Sequence, residues 1–93
     1  MNRQARIEAA LTETFAPLRL QVIDESHLHA GHQPGMDGSG ETHFRVRLES
    51  AAFTGRSRID RHRAVNAALQ AEFDAGLHAL AVEAAGAGEA TRW

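Results

Sequence analysis

Six histidines and ten arginines carry most of the chemistry this sequence offers. Three of the histidines crowd into His27-Leu28-His29-Ala30-Gly31-His32. Imidazole is the commonest metal ligand near neutral pH, because its neutral form is substantially populated. Glycine beside it lets the backbone fold a ligand into place. Three histidines at this spacing lack the fixed geometry of a strong metal motif, so a solvated polar loop is the plainer account of the spacing alone. The chain has no cysteine, which excludes disulfides, thiolate zinc fingers, thiol nucleophiles and a self-contained all-cysteine iron–sulfur site. Any metal must be held by histidine, by carboxylate or by ligands from a partner.

The arginines are the second signal. Net charge is −2, but residues 45–63 hold six of the ten arginines against Glu49 and Asp60, a local charge of +4. There is no lysine, so every basic contact is a guanidinium fork suited to phosphate or carboxylate. Arg45 and Arg47 share a strand face with His43, which reads either as a solvated face or as a phosphate-facing surface. Arg56, Arg58, Arg61 and Arg63 surround the start of a helix. Arg61 and Arg63 diverge by about 200° on a helix and cannot form one clamp. His62 lies between Ile59 and Val65 and is expected to face inward. The candidate nucleic-acid contacts are therefore Arg45, Arg47, Arg56, Arg58, Arg61 and Arg63, although the chain as a whole is not a typical basic nucleic-acid binder. No nucleophile–base–orienter set is visible, and Asp24 and Glu25 point to opposite strand faces. There is no P-loop or dinucleotide fingerprint, so a binding protein is expected, not an enzyme.

The scaffold that holds these residues is read from periodicity. Ile7, Leu11 and Phe15 mark one face of a helix over 2–15, with Asn2 as its N-cap and Pro17 as its stop. Leu18, Leu20 and Val22 alternate with polar residues as a half-buried strand. Residues 26–41 come next, with four glycines, Pro34 and the three clustered histidines. An aperiodic stretch of that length is usually functional or disordered. Phe44, Val46 and Leu48 alternate as a second strand, and residues 51–55 form a corner. Ser57 caps a helix over 57–74, with Ile59, Val65, Ala68, Leu69 and Phe73 inward, Asp60 favourably placed for the helix dipole and Gly76 as C-cap. Leu80 and Val82 mark a third strand.

The order helix-strand-strand-helix-strand predicts one α+β domain over 1–84, a three-stranded mixed sheet covered by helices, and a tail over 85–93 without a core pattern. Leu11, Phe15, Leu20, Val22, Phe44, Val46, Leu48, Val65, Leu69, Leu80 and Val82 are the expected core. A connection containing a helix makes the second and third strands parallel, in a right-handed crossover. The third strand then starts where the second starts, which brings His78 to the end of the sheet where residues 26–41 lie. His78 shares parity with Leu80 and Val82, so its side chain is expected on the core-facing side. No apolar run approaches the roughly 18–20 residues of a membrane span. The opening MNRQARIEAALTE reads as structure, with no secretory h-region, so a soluble, cytoplasmic protein with no membrane contact is expected.

Taken together, several stretches resemble the BolA family. They are Val22-Ile23-Asp24-Glu25-Ser26-His27, His29-Ala30-Gly31-His32, Glu41-Thr42-His43-Phe44, Phe53-Thr54-Gly55, Arg61-His62-Arg63 and His78-Ala79-Leu80. Each is weak alone; in this order and spacing, from about Ile7 to Val82, they are specific. The resemblance implies a fold like the class II KH domain. It implies partnership with a monothiol glutaredoxin and glutathione in [2Fe–2S] cluster binding, transfer or iron homeostasis, with the cluster shared and none bound alone. It also implies, as an alternative, DNA-binding transcriptional regulation linked to stress and cell morphology. The family's cluster ligands, a loop histidine or cysteine and a C-terminal histidine, fall on His29 and His78, with His27 and His32 as substitutes for the first. The GXXG loop of RNA-binding KH domains has no match, because the corner reads Gly55-Arg56-Ser57-Arg58.

Overall fold

A computed structural model describes residues 2–26 and 42–93. Helix α1 spans Arg3–Phe15 and starts where Asn2 accepts a hydrogen bond from the Ala5 N–H at 2.8 Å. Its four-residue spacing puts Ile7, Leu11 and Phe15 on one buried face. The helix stops at Ala16, whose φ of 44° is left-handed and whose N–H returns to the Thr12 carbonyl. Strand β1 (Arg19–Asp24) runs antiparallel to β2 (His43–Glu49), with Leu20 opposite Leu48 and Val22 opposite Val46. A 3₁₀ turn over Ala51–Phe53 and two helices, α2 (Arg58–Ala68) and α3 (Gln70–Asp74), lead to β3 (Ala79–Ala85). β3 pairs parallel with β2, so the sheet is mixed and its order is β1-β2-β3.

The core lies between the sheet and the helices. Phe44, Val46 and Leu48 of the central strand pack against Ile7, Leu11, Val65 and Leu69, all almost inaccessible to water. Burying each such side chain contributes about 1.5–3 kcal/mol before conformational entropy is subtracted. Leu20, Leu80 and Val82 are only partly buried, because β1 and β3 are the edges of the sheet. Phe53 and Leu77, outside the expected core, are both buried. The Phe53 ring lies 4.8 Å from that of Phe15, and the buried Ser50 hydroxyl ties this corner together by donating to the Phe15 carbonyl at 2.6 Å.

Three expectations are corrected. Ile59 is 63% exposed, because six residues of helix separate it from Val65 and turn it roughly 120° off the inward face. Leu18 is 65% exposed, since β1 begins one residue later and α1 has ended before it. The helix expected over 57–74 breaks at Leu69, whose N–H is shared between the carbonyls of Val65 and Asn66. The tightened turn re-aims the residues after it: Glu72 takes the buried position and Phe73 is left half-buried at the edge of the core. Buried Glu72 is held by Arg3 at 3.1 Å and Arg6 at 3.0 Å, so α3 docks on α1 through ion pairs.

Candidate functional site

The parallel pairing sets His43 opposite Ala79 and so brings the starts of β2 and β3 to one end of the sheet. Backbone bonds lock that corner: the N–H groups of His78 and Ala79 both donate to the Thr42 carbonyl, at 2.8 and 3.1 Å. The buried Ser26 hydroxyl accepts from the N–H groups of Thr42 and His43 at 2.9 and 3.0 Å. Ser26 and Thr42, which flank residues 27–41, therefore meet beside His78. His27, His29 and His32 lie outside the described residues.

His78 is exposed at this corner. The strand parity that placed it toward the core does not reach it, because β3 begins at Ala79 and Leu77 takes the buried place. Its ring stacks instead on His43, with centroids 5.1 Å apart and planes tilted by 35°. His43 is correspondingly buried, only 6% exposed, although it shares the outer face with Arg45 and Arg47. Its Nδ1 lies 3.0 Å from the Thr42 hydroxyl. Sequence reasoning missed the neighbourhood of His43 and His78. The signal for it was available: a residue just before a parallel strand adjoins the residue that opens its partner. Two imidazole rings are therefore neighbours at the rim of the sheet. Among the described residues no group of three or more histidines or carboxylates is placed to hold a metal ion.

The outer face of the sheet is a network of paired charges. Arg45 bonds Glu25 at 3.0 Å and Glu83 at 3.2 Å, and Arg47 bonds Glu83 at 2.8 Å. The Glu25 carboxylate, followed by Glu83, raises the Arg45 pKa, and Arg47, followed by Arg45, holds the Glu83 carboxyl below its ordinary range. The basic strand face therefore already has anionic partners from this chain. Among the helix-start arginines, Arg61 is half-buried and bidentate with Glu89, at 2.7 Å to each oxygen. That pairing drops the Glu89 pKa to about 2. Arg56, Arg58 and Arg63 are exposed, and His62 is half-buried on the wall of a cleft between α2, β3 and residues 89–93.

The tail expected to lack a pattern is tied back to the sheet. Ala85 is buried in β3, the Gly88 N–H donates to Glu49 at 2.7 Å, and the Trp93 ring lies 4.3 Å from the Arg19 guanidinium carbon. The Gly88 N–H and then Arg19 hold the Glu49 carboxyl below its ordinary range. Among the described residues no helix is long and apolar enough to cross a membrane.

Comparison with known proteins places this geometry. Residues 11–89 match the family model described as BolA-like protein. A Sinorhizobium protein described by its position in the cobS 5′ region is 61% identical over the whole of both chains. The Escherichia coli protein named DNA-binding transcriptional regulator BolA is 39% identical, over 88% of this chain and 73% of its own length. The solved BolA domain of SufE1 from Arabidopsis thaliana superposes with a TM-score of 0.85 at 41% identity, over 97% of this chain and 98% of that one.

Proposed function

Because this chain belongs to the BolA-like family, we propose that it is an adaptor that shares a [2Fe–2S] cluster with a monothiol glutaredoxin. The observation that carries this reading is the exposed His78 ring, pinned by its own backbone to Thr42 and backed by the buried ring of His43. A donor ring fixed before the partner arrives loses little freedom on binding. His78 would supply one nitrogen, and His29, with His27 or His32 as substitutes, a second. Thiolates from the glutaredoxin and from glutathione would complete the set, which suits a chain without cysteine. The bound cluster supplies electron-transfer and cluster-transfer chemistry. The chain's own residues bind and orient it.

The test is reconstitution with a monothiol glutaredoxin, glutathione, iron and sulfide, read by visible circular dichroism. The expected result is a stable coloured heterocomplex that His78→Ala abolishes without altering the fold, and that His29→Ala weakens less. A His78→Ala spectrum and lifetime equal to wild type would overturn the assignment.

A second reading, DNA binding, is favoured by the exposed Arg56, Arg58 and Arg63 and by the name of the E. coli relative. Contacts from these residues would go mainly to phosphate and weaken steeply with salt. Alanine at all three should lower affinity for every sequence alike, and unchanged binding would dismiss the reading.

A further inference from the structure

The cleft between α2, β3 and the tail lies at the opposite end of β3 from His78 and has a volume of about 440 Å³. Volumes of roughly 300–1,000 Å³ are those of small-molecule sites. It is lined by Arg56, Arg58, Arg61, Arg92 and Trp93, among others. Of the carboxylates there, Glu83 is neutralised from the sheet face by Arg45 and Arg47, and Glu89 by Arg61. Among the described residues Arg56, Arg58 and Arg92 make no ion pair, and all three are exposed. Three exposed arginines that make no ion pair thus line one cleft, whose size suits a small anion better than a duplex.

A second observation says what kind of anion fits. Glu89 meets Arg61 fork to fork, with both oxygens at 2.7 Å, which is the geometry that guanidinium makes with phosphate. Glu89 reaches this position from the stretch after β3, where its own N–H bonds the Gly86 carbonyl at 3.1 Å.

We propose that this cleft binds a small phosphate-bearing molecule of nucleotide size, held by Arg58 and Arg92 together with Arg61, where Glu89 is an internal stand-in for the phosphate. Trp93, whose ring lies 4.3 Å from the Arg19 guanidinium carbon, also lines the cleft and would supply a flat apolar ring for a base. The site shares no residue with the His43–His78 corner, so its failure would leave the cluster-sharing reading untouched.

The experiment titrates the full chain at low salt with pyrophosphate and with ADP, by calorimetry and by amide chemical shifts. The expected result is saturable binding with shifts confined to the cleft, and tighter binding of ADP than of pyrophosphate. Arg58→Ala combined with Arg92→Ala should weaken it about tenfold or more, the loss of two charge-assisted hydrogen-bonding partners. Glu89→Gln should tighten binding several-fold by releasing Arg61. A short single-stranded oligodeoxynucleotide forms the competing arm: ADP should displace it from the cleft. No binding by either wild type or Glu89→Gln, equal affinity in the double variant, or an oligonucleotide that ADP fails to displace would each overturn the proposal. The double variant alters only exposed side chains, and the unchanged shifts of His43 and His78 certify its fold.

Discussion

Glu72 gives a sharp test of how the histidine corner is held. Its carboxylate is almost buried and joins Arg3 and Arg6 of α1 to α3. Arg3 also donates to the Ala75 carbonyl at 2.8 Å, and the Leu77 N–H to the Glu72 carbonyl at 2.9 Å, so the clamp ends one residue before His78. Glu72→Gln keeps the shape and removes the charge. Breaking a fully buried pair costs about 3–5 kcal/mol, but Arg6 is 41% exposed and can turn to water, which discounts the figure. Arg3, at 11%, cannot do so as readily. The expected loss is about 1.5–3 kcal/mol, near the range for hydrogen bonds to charged groups. Urea unfolding should show a lower midpoint at unchanged slope. Arg6, followed by burial opposing it and by Arg3, holds the Glu72 pKa below its ordinary range. A carboxylate depressed in the folded state stabilises above its unfolded pKa, about 4.3, and that stability disappears as pH falls through the folded pKa. The gap between wild type and Glu72→Gln should therefore be full at neutral pH and should close in acid, below about pH 4. A gap under about 0.5 kcal/mol, the size of an ordinary surface change, would contradict this account of the clamp. So would one that persists unchanged in acid.

Leu69→Ala should cost about 2–5 kcal/mol, because Leu69 is 1% exposed in the centre of the core; chemical denaturation measures it, and a loss below that range would mean the helix break lets the site collapse. Ala16→Gly should stabilise by about 0.5–1 kcal/mol, since the left-handed cap at φ 44° suits glycine better than alanine, and a rise in the thermal midpoint checks it. Ser50→Ala should destabilise by about 1–3 kcal/mol, because it strips the Phe15 carbonyl and the Ala52 N–H of their buried partner; hydrogen exchange at Ala52 should rise with it.

Much of this architecture is legible from period alone. Ile7, Leu11 and Phe15, then Phe44, Val46 and Leu48, repeat at the spacings of a helix and a half-buried strand, and both faces are buried as expected. The helix between the second and third strands forces the parallel pairing, and that pairing is enough to bring His78 to the end of the sheet where residue 26 ends and residue 42 begins. The features that escaped have local causes. Phe53 and Leu77 are buried from a turn and a connector, where no period marks an inward face. The break at Leu69 has no glycine or proline to announce it. The capture of Glu72 by two arginines of α1 is a long-range event that a window of sequence cannot contain.

The histidine corner shows where local parity gives out and topology still holds. Parity assigns His43 to solvent and His78 to the core, and each is the reverse. Alternation applies only while the strand continues, and β3 begins one residue after His78. At that boundary the chain turns Leu77 inward, which frees the next side chain to swing over the rim and close on His43. The crossover has already set the two residues side by side, so the swing buries His43 and leaves His78 facing outward. The pairing of a buried His43 with an exposed His78 thus arises from a hydrophobic demand one residue away. Leu77→Asp, which removes that demand, should loosen the His43–His78 stack before it unfolds the sheet. Separate nuclear magnetic resonance signals of the two rings report this: loss of ring-current shifts at His43 with the β2–β3 amide protection retained is the expected outcome. Simultaneous loss of both would mean that Leu77 holds the sheet as a whole and has no particular hold on the corner.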